Sequence, residues 1–471
     1  MRLRSHITQV NVPGVVTQTG RIAMLLGLLW IAPAGVGALF GEGSQVILFG
    51  GTGAFLLLAG WLAARQGRED IGFTEGLVIT ALSYLVAALA GVVPFLSVVG
   101  FADAFFESMS GFTTTGLTLV PLADLPRSLL FFRAFSQWIG GAGIVVLTLV
   151  ILLRTTKPAH RLYVSEAGEG QIMGSVRTTA AAVAKVYLVL TGAAVLLFFG
   201  SGMDAFDAVL HALATVSTGG FSPYADSLGH FPQRSVRLAV FFFMLVGATS
   251  FPLFYRARKE RIRGLFRDPQ VRALLGGMGA LWGLLWLTGG QEGPLPALFH
   301  AVTALTTTGF SLSDPAAWDP AALSLAVGAM IVGGSAGSTA GGIKLIRVLV
   351  LLRLGGWMIA RTLLPEEAKL PVRHGDLVTS EADLLGLAGF GILYLAVLGL
   401  SALALTFSGA PLGSALFEAA SALGTVGLSA GVTSPDLEVW AKMVLALDMW
   451  VGRLEIVPVM VLLYPGVWRG R

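Results

Sequence analysis

Residues Phe106–Thr118 read FESMSGFTTTGLT, and the chain repeats that line three more times. The copies are LHALATVSTGGFS at Leu210–Ser222, FHAVTALTTTGFS at Phe299–Ser311 and FEAASALGTVGLS at Phe417–Ser429. They align without gaps. Each opens on a bulky apolar residue followed by Glu or His, and each reaches a glycine (Gly116, Gly220, Gly309, Gly427), then Leu or Phe, then Thr or Ser. A recurrence of this kind marks an internal repeat and governs how the rest of the chain is read. The first part of each copy holds good helix formers and no proline, which predicts a short helix. The Thr, Ser and Gly that follow favour irregular backbone.

The surroundings are those of a membrane protein. Hydrophobic residues make up 55% of the 471 residues and charged residues 12%, about half the charge of an ordinary soluble domain. Mean hydropathy is +0.79. This composition excludes a soluble globular enzyme, a disordered chain and a secreted disulfide scaffold. Cysteine is absent, which removes thiolate chemistry and cysteine-held metals, and the net charge of +4 gives no reason to expect nucleic acid.

Apolar runs long enough to cross a bilayer occur near 22–40, 45–64, 75–96, 129–153, 181–200, 238–255, 273–289, 323–352, 384–407 and 438–464. The first lacks a small-residue cleavage site and reads as a retained span. With both termini cytoplasmic, most Lys and Arg fall inside, and only Arg127, Arg234 and Arg237 lie in outer segments, as the positive-inside rule requires. The densest basic group, Arg256, Arg258, Lys259, Arg261, Arg263, Arg267 and Arg272, is either a topology anchor or a docking surface for a soluble partner.

Each repeated line lies in a semi-apolar outer segment between two spans. Such a segment is too short for two crossings and long enough to dip into the membrane and return. Irregular backbone at that depth must be buried in protein or line a watery cavity. A re-entrant helix and strand, present four times, is the construction of a cation pore whose carbonyl oxygens replace the ion's water. Helix C-termini add negative dipole ends at the axis. The expected fold is therefore all-α and polytopic: two N-terminal spans, then four span–pore helix–span repeats around a pseudo-fourfold pore. The divisions are an N-terminal pair at 1–70, then repeats at 71–160 (filter 113–118), 161–265 (filter 217–222), 266–375 (filter 306–311) and 376–471 (filter 424–429).

Further motifs lie inside the spans. Residues Gly333–Gly342 read GGSAGSTAGG, too poor in helix propensity to stay helical, and form either a water-facing intramembrane loop or a tight packing seam. Arg453 lies midway along the last span near Asp448 and Glu455, so it is a functional residue or half of a structural ion pair. Lys344 and Arg347 either couple the glycine loop to the inner face or snorkel there. Glu107, His211, His300 and Glu418 hold the same place in the four repeats. Two imidazoles and two carboxylates suit zinc or iron. Placed more than two helical turns toward the outer mouth, however, they are spread away from the axis, and fixing the pore helices or shaping the vestibule field is the better task. Asp103, Asp124, Asp204, Asp226, Asp314 and Asp436 either enrich cations at the mouth or are ordinary loop acids. No GxxxxGK[ST] occurs, and the glycines at Gly140–Gly143 and 333–342 sit in apolar spans, unlike phosphate loops.

The four filters TTTGLT, STGGFS, TTTGFS and GTVGLS, with FRAFSQWIGGAGIVV, GGSAGSTAGGIK and DMWVGRLEI, resemble the Trk/Ktr/HKT superfamily of potassium transporters over nearly the whole chain, most closely its bacterial Trk-type members. The resemblance implies K+ uptake without covalent chemistry or a cofactor, a homodimer in the cell inner membrane, and a cytosolic nucleotide-binding regulator of the TrkA kind. It assigns K+ sites to main-chain carbonyls of Thr114, Thr115, Gly116, Thr218, Gly219, Gly220, Thr307, Thr308, Gly309, Thr425, Val426 and Gly427. It gives gating to Gly333, Gly334, Ser335, Gly337, Ser338, Thr339, Gly341 and Gly342, and makes Arg453 a positive barrier below the filter. In plant relatives a serine at the first filter glycine accompanies Na+ transport; here all four glycines are present. The rival readings are a K+ symporter coupled to H+ or Na+ and a membrane-embedded enzyme.

Overall fold

The computed structural model describes residues 9–65, 67, 71–153, 176–260, 262–288, 293–363, 365, 372–374, 377–379 and 381–468. Among them the chain is helical apart from one short antiparallel hairpin, in which Val372–His374 pairs with Leu377–Thr379. Three of the expected repeat boundaries, at 70/71, 160/161 and 375/376, lie outside the described residues, as do the chain ends.

Five helices among the described residues are long and apolar enough to cross a membrane: Val12–Leu39, Gly43–Ala64, Phe73–Phe95, Ala180–Ser201 and Leu384–Thr406. A sixth span is bent, Arg234–Gly247 meeting Phe251–Ala257 at 96°. The other expected spans fall on Arg127–Leu153, Pro269–Leu287 and two broken pairs, Pro320–Val332 with Leu345–Thr362 and Val439–Arg453 with Val457–Leu463.

Two expectations need correction. The first span starts at Val12, ten residues before the apolar run, because Asn11 caps the Gly14 N–H and Pro13 occupies the first turn. The sixth and tenth spans, read as continuous, are broken at 248–250 and 454–456. Pro252 and Pro458 each open the helix after the break, where a missing N–H costs nothing.

The N-terminal pair is a tight hairpin. A Cβ on Gly20 would fall on the Gly60 carbonyl, and one on Gly27 on the Gly53 carbonyl, so these glycines set the crossing distance. Trp30 carries the pair onto the first repeat. Its ring stacks on Phe112 at 5.9 Å and meets Phe132 edge-on at 5.2 Å, while Phe49 and Phe95 close round Phe132 at 5.2 and 5.8 Å. Glu42 accepts the Arg127 and Ser128 N–H groups at 2.7 and 3.0 Å, capping helix Arg127–Leu153 from across the fold. Gly27→Val should drive the two helices apart and cost about 1–3 kcal/mol, read as a lower melting temperature of the purified protein in detergent.

Candidate functional site: four converging filters

Each repeated line folds as expected, and all four fold alike. The pore helices are Phe101–Phe112, Ala205–Val216, Pro294–Leu305 and Leu412–Leu423, 12 residues each. All end in the same turn. Thr115, Gly219, Thr308 and Val426 donate their N–H groups to carbonyls five residues back (Ser110, Ala214, Thr303, Ser421) at 2.9, 2.7, 3.0 and 2.8 Å. Thr114, Thr218, Thr307 and Thr425 bond three residues back with φ of 54, 51, 53 and 49°. This is the Schellman ending, whose left-handed residue is usually glycine. A β-branched threonine there is strained, and four repeats keep that strain at one level. Gly116, Gly220, Gly309 and Gly427 follow at φ of 96, 73, 86 and 96°, conformations that glycine alone adopts freely.

The strands then close on one another in a ring. A Cβ on Gly116 would strike the Gly219 carbonyl oxygen; on Gly220, that of Thr308; on Gly309, that of Val426; on Gly427, that of Thr115. First touches second, second third, third fourth and fourth first. Eight of the twelve residues expected at the filter thus meet across strands, with four carbonyls each lying against a neighbouring strand's glycine; Thr114, Thr218, Thr307 and Thr425 stand just before them at the helix ends.

The outer ends are pinned by the residues two turns back. Glu107 accepts from Thr118 Oγ1 and the Leu119 N–H (3.1 Å), and His300 Nε2 accepts the Leu312 N–H (3.2 Å). His211 Nε2 lies 3.3 Å from Ser222 Oγ, and Glu418 accepts from Ser429 Oγ, Ala430 N–H and Thr433 N–H at 2.8–3.0 Å. Each holds its own descending strand, in keeping with the helix-fixing one of the two tasks expected of them. Sequence reasoning missed Arg133. Its Nε meets Glu107 at 2.7 Å and Nη1 donates to the Ser222 carbonyl at 2.9 Å, both buried, while Nη2 donates to the half-buried Thr118 Oγ1 at 3.1 Å. The signal that could have found it is a charge set in an apolar run, directly after Leu129, Leu130, Phe131 and Phe132. At the mouth, Asp103 pairs with Lys442 at 2.6 Å, while Asp204 and Asp314 cap helices.

Beneath the filters, residues 333–342 form the expected interruption. They do not face open space: all but Gly337 are buried, which favours the packing seam of the two readings over the water-facing loop. Many of their polar groups are taken by protein, although the Ser335 hydroxyl is buried without a partner. Ser335 N–H donates to the Ala248 carbonyl (3.0 Å), Phe251 N–H to the Gly337 carbonyl (3.0 Å), and Thr339 Oγ1 to the Val216 and Gly247 carbonyls (3.0 and 3.1 Å). Gly341 N–H donates to Thr307 Oγ1 at 2.6 Å, and a Cβ on Gly341 would strike the Gly424 carbonyl and Thr425 Oγ1. The loop therefore packs against the inner ends of the second, third and fourth filters. The break at 248–250 receives it.

Arg453 reaches the same loop, donating to the Thr339 carbonyl at 2.7 Å and the Gly140 carbonyl at 3.3 Å. Its expected acid partners are elsewhere. Asp448 accepts from Ser401 Oγ (2.7 Å), and Glu455 pairs with Arg347 (2.5 Å). Lys344 Nζ donates to the Ala340 carbonyl, so it turns back to the loop and does not snorkel away. The basic run continues on Phe251–Glu260 and Ile262–Arg267, but the side chains of 258–263 lie outside the described residues.

A family model described as a TrkH cation transport protein matches residues 43–286 and 292–465. The chain belongs to the TrkH family. Among its relatives, the Trk system potassium uptake protein TrkH of Halomonas elongata is 34% identical over 477 residues, covering 96% of this chain and 98% of that protein. The protein of the same name from Escherichia coli K12 is 32% identical over 430 residues, covering 87% and 89%. The crystal structure of the potassium transporter TrkH from Vibrio parahaemolyticus superposes with a TM-score of 0.86 at 31% identity, over 98% of this chain and 100% of that one. In this TrkH-family chain, Arg133→Ala should leave Glu107 as an unpaired buried charge and cost about 3–5 kcal/mol, measured by thermal unfolding in detergent.

Proposed function

We propose that the chain carries K+ into the cell down its electrochemical gradient through a channel-like pore. Carbonyls of Thr114–Gly116, Thr218–Gly220, Thr307–Gly309 and Thr425–Gly427 would line the filter. The observation that carries this reading is the closed ring of carbonyl-to-glycine contacts joining the four strands. Carbonyl oxygens held at fixed separation offer a cation a substitute for its hydration shell, and the pore-helix C-termini behind them add negative potential. The relatives named as potassium uptake proteins support K+ as the ion. A membrane potential drives the ion inward by about 2.3 kcal/mol per charge per 100 mV, so no chemical step is needed and no cofactor enters.

In this reading residues 333–342 are the gate. They lie across the inner ends of three filters, and Arg453 latches them through the Thr339 carbonyl to the first repeat at Gly140. Its guanidinium adds positive charge on the ion's exit path. A homodimer in the cell inner membrane, four repeats divided near 70, 160, 265 and 375, both termini cytoplasmic, and control by a nucleotide-binding subunit of the TrkA kind complete the proposal.

Two outcomes test it in proteoliposomes. Gly116→Ser places a Cβ on the Gly219 carbonyl at a φ of +96°, and the K+ over Na+ preference of rubidium-tracer uptake should fall. An unchanged preference would count against the filter. Deleting Gly334–Gly341 should raise basal flux of the folded protein above wild type; equal flux would remove the loop from gating. A current reversing at the K+ potential across an imposed pH gradient separates this pore from an H+-coupled symporter.

A further inference from the structure

Helix Arg127–Leu153 brings two buried polar side chains, one helical turn apart, to the second filter, Arg133 while also holding its own repeat through Glu107 and Thr118. Arg133 reaches the Ser222 carbonyl, and its guanidinium lies 4.0 Å over the Phe221 ring. Gln137 is fully buried and straddles the filter glycine Gly220. Its Nε2 donates to the Gly219 carbonyl at 2.6 Å, and its Oε1 accepts the Phe221 N–H at 3.1 Å. A planar amide satisfied at both ends holds the backbone on either side of Gly220.

Among the described residues no other repeat does this. Three residues before the glycines Gly140, Gly247, Gly333 and Gly452 the chain reads QWIG, MLVG, MIVG and MWVG. Met244, Met330 and Met449 are buried thioethers with no hydrogen to donate. The filter changes in step. Thr115, Thr308 and Val426 carry a side chain where the second filter has Gly219. Gly219 is not among the residues of positive φ, so its backbone does not require glycine. Space does: a Cβ there would fall on Cδ, Oε1 and Nε2 of Gln137. Thr115 and Thr308 brace their strands through hydroxyl contacts of 2.8 Å with Thr113 and Thr306. Gly219 has no hydroxyl, and Gln137 supplies the brace from outside.

We propose that Gln137 is a specificity-determining positioning residue. It pins one carbonyl of the filter ring and shares that oxygen with an amide N–H. The pinned member resists the contraction a smaller cation such as Na+ needs, and it is the weakest of the four oxygens toward any ion. The inference rests on the ring being the K+ filter.

The test is Gln137→Met, which gives the first repeat the residue of the other three, alone and with Gly219→Thr. In proteoliposomes, Gln137→Met should lower the K+ over Na+ preference about fivefold, the weight of one net hydrogen bond. Its yield and elution should be those of wild type. Gly219→Thr alone collides with Gln137 and should lose folded protein or uptake. The double variant should recover both, a coupling that a merely structural residue would not show in the ion preference. A wild-type preference in Gln137→Met, or a double variant no better than Gly219→Thr, overturns the proposal. Should Gln137→Met not survive purification, recovery of ion preference in the double variant carries the test. If wild-type protein takes up no rubidium, the filter reading itself fails. If Gly116→Ser shifts the preference and Gln137→Met does not, only the role of Gln137 fails.

Discussion

A carbonyl oxygen lying against a bare α-carbon is the contact on which this molecule depends. It occurs around the filter ring, where Gly116, Gly220, Gly309 and Gly427 each admit a neighbouring strand's oxygen. It occurs again behind the ring. A Cβ on Gly140 would strike the Phe112 carbonyl, one on Gly247 would crowd those of Thr215 and Val216, and one on Gly452 would strike that of Leu423. The last carbonyls of a helix lack an intrahelical partner, and here they sit at the filter's base. Crowding like-signed oxygens is unfavourable by itself, so the surrounding protein must hold them in place. The left-handed threonines show where that strain resides, since four β-branched residues adopt φ near 50° at one level.

What holds the ring lies mostly outside it. Glu107, His211, His300 and Glu418 tie each descending strand to its own pore helix, so that the hairpin is closed at its outer end. Arg133 ties the first hairpin to the second. The N-terminal pair, which carries no filter, packs through Trp30 on Phe112 and Phe132 and so backs the first pore helix. Buried pairs such as Arg133–Glu107 are weak sources of stability, and a registering role suits them better.

The four short helices, the irregular strands after them and the glycine loop were legible because each is written locally, as a run of helix formers or an interruption of one. Fourfold recurrence then removed ambiguity that a single TTTG would have left. The breaks at 248–250 and 454–456 were not legible, because nothing within either run says that a loop from elsewhere will bond there; Pro252 and Pro458 were the sole local signs. Burial of the loop was left open for the same reason. Ser338 and Thr339 look water-loving in sequence, yet their hydroxyls are satisfied by carbonyls of Ser335, Val216 and Gly247. The partner of Arg453 was likewise sought among nearby acids, whereas backbone carbonyls 114 and 313 residues away hold it.

Fourfold likeness in sequence does not make the four strands equivalent in chemistry. Hydroxyl braces act within the first and third filters, an external amide acts on the second, and the fourth has Gly424 and Val426 where no such brace is possible. Below them the loop belongs to one repeat alone and touches the other strands unequally, through Thr307 Oγ1 on one side and the Gly424 carbonyl on another. A single chain can place such differences where four identical subunits cannot. An interruption in every repeat would bring four loops to one place, whereas this single loop is received by a bend in the second repeat and by an arginine from the fourth.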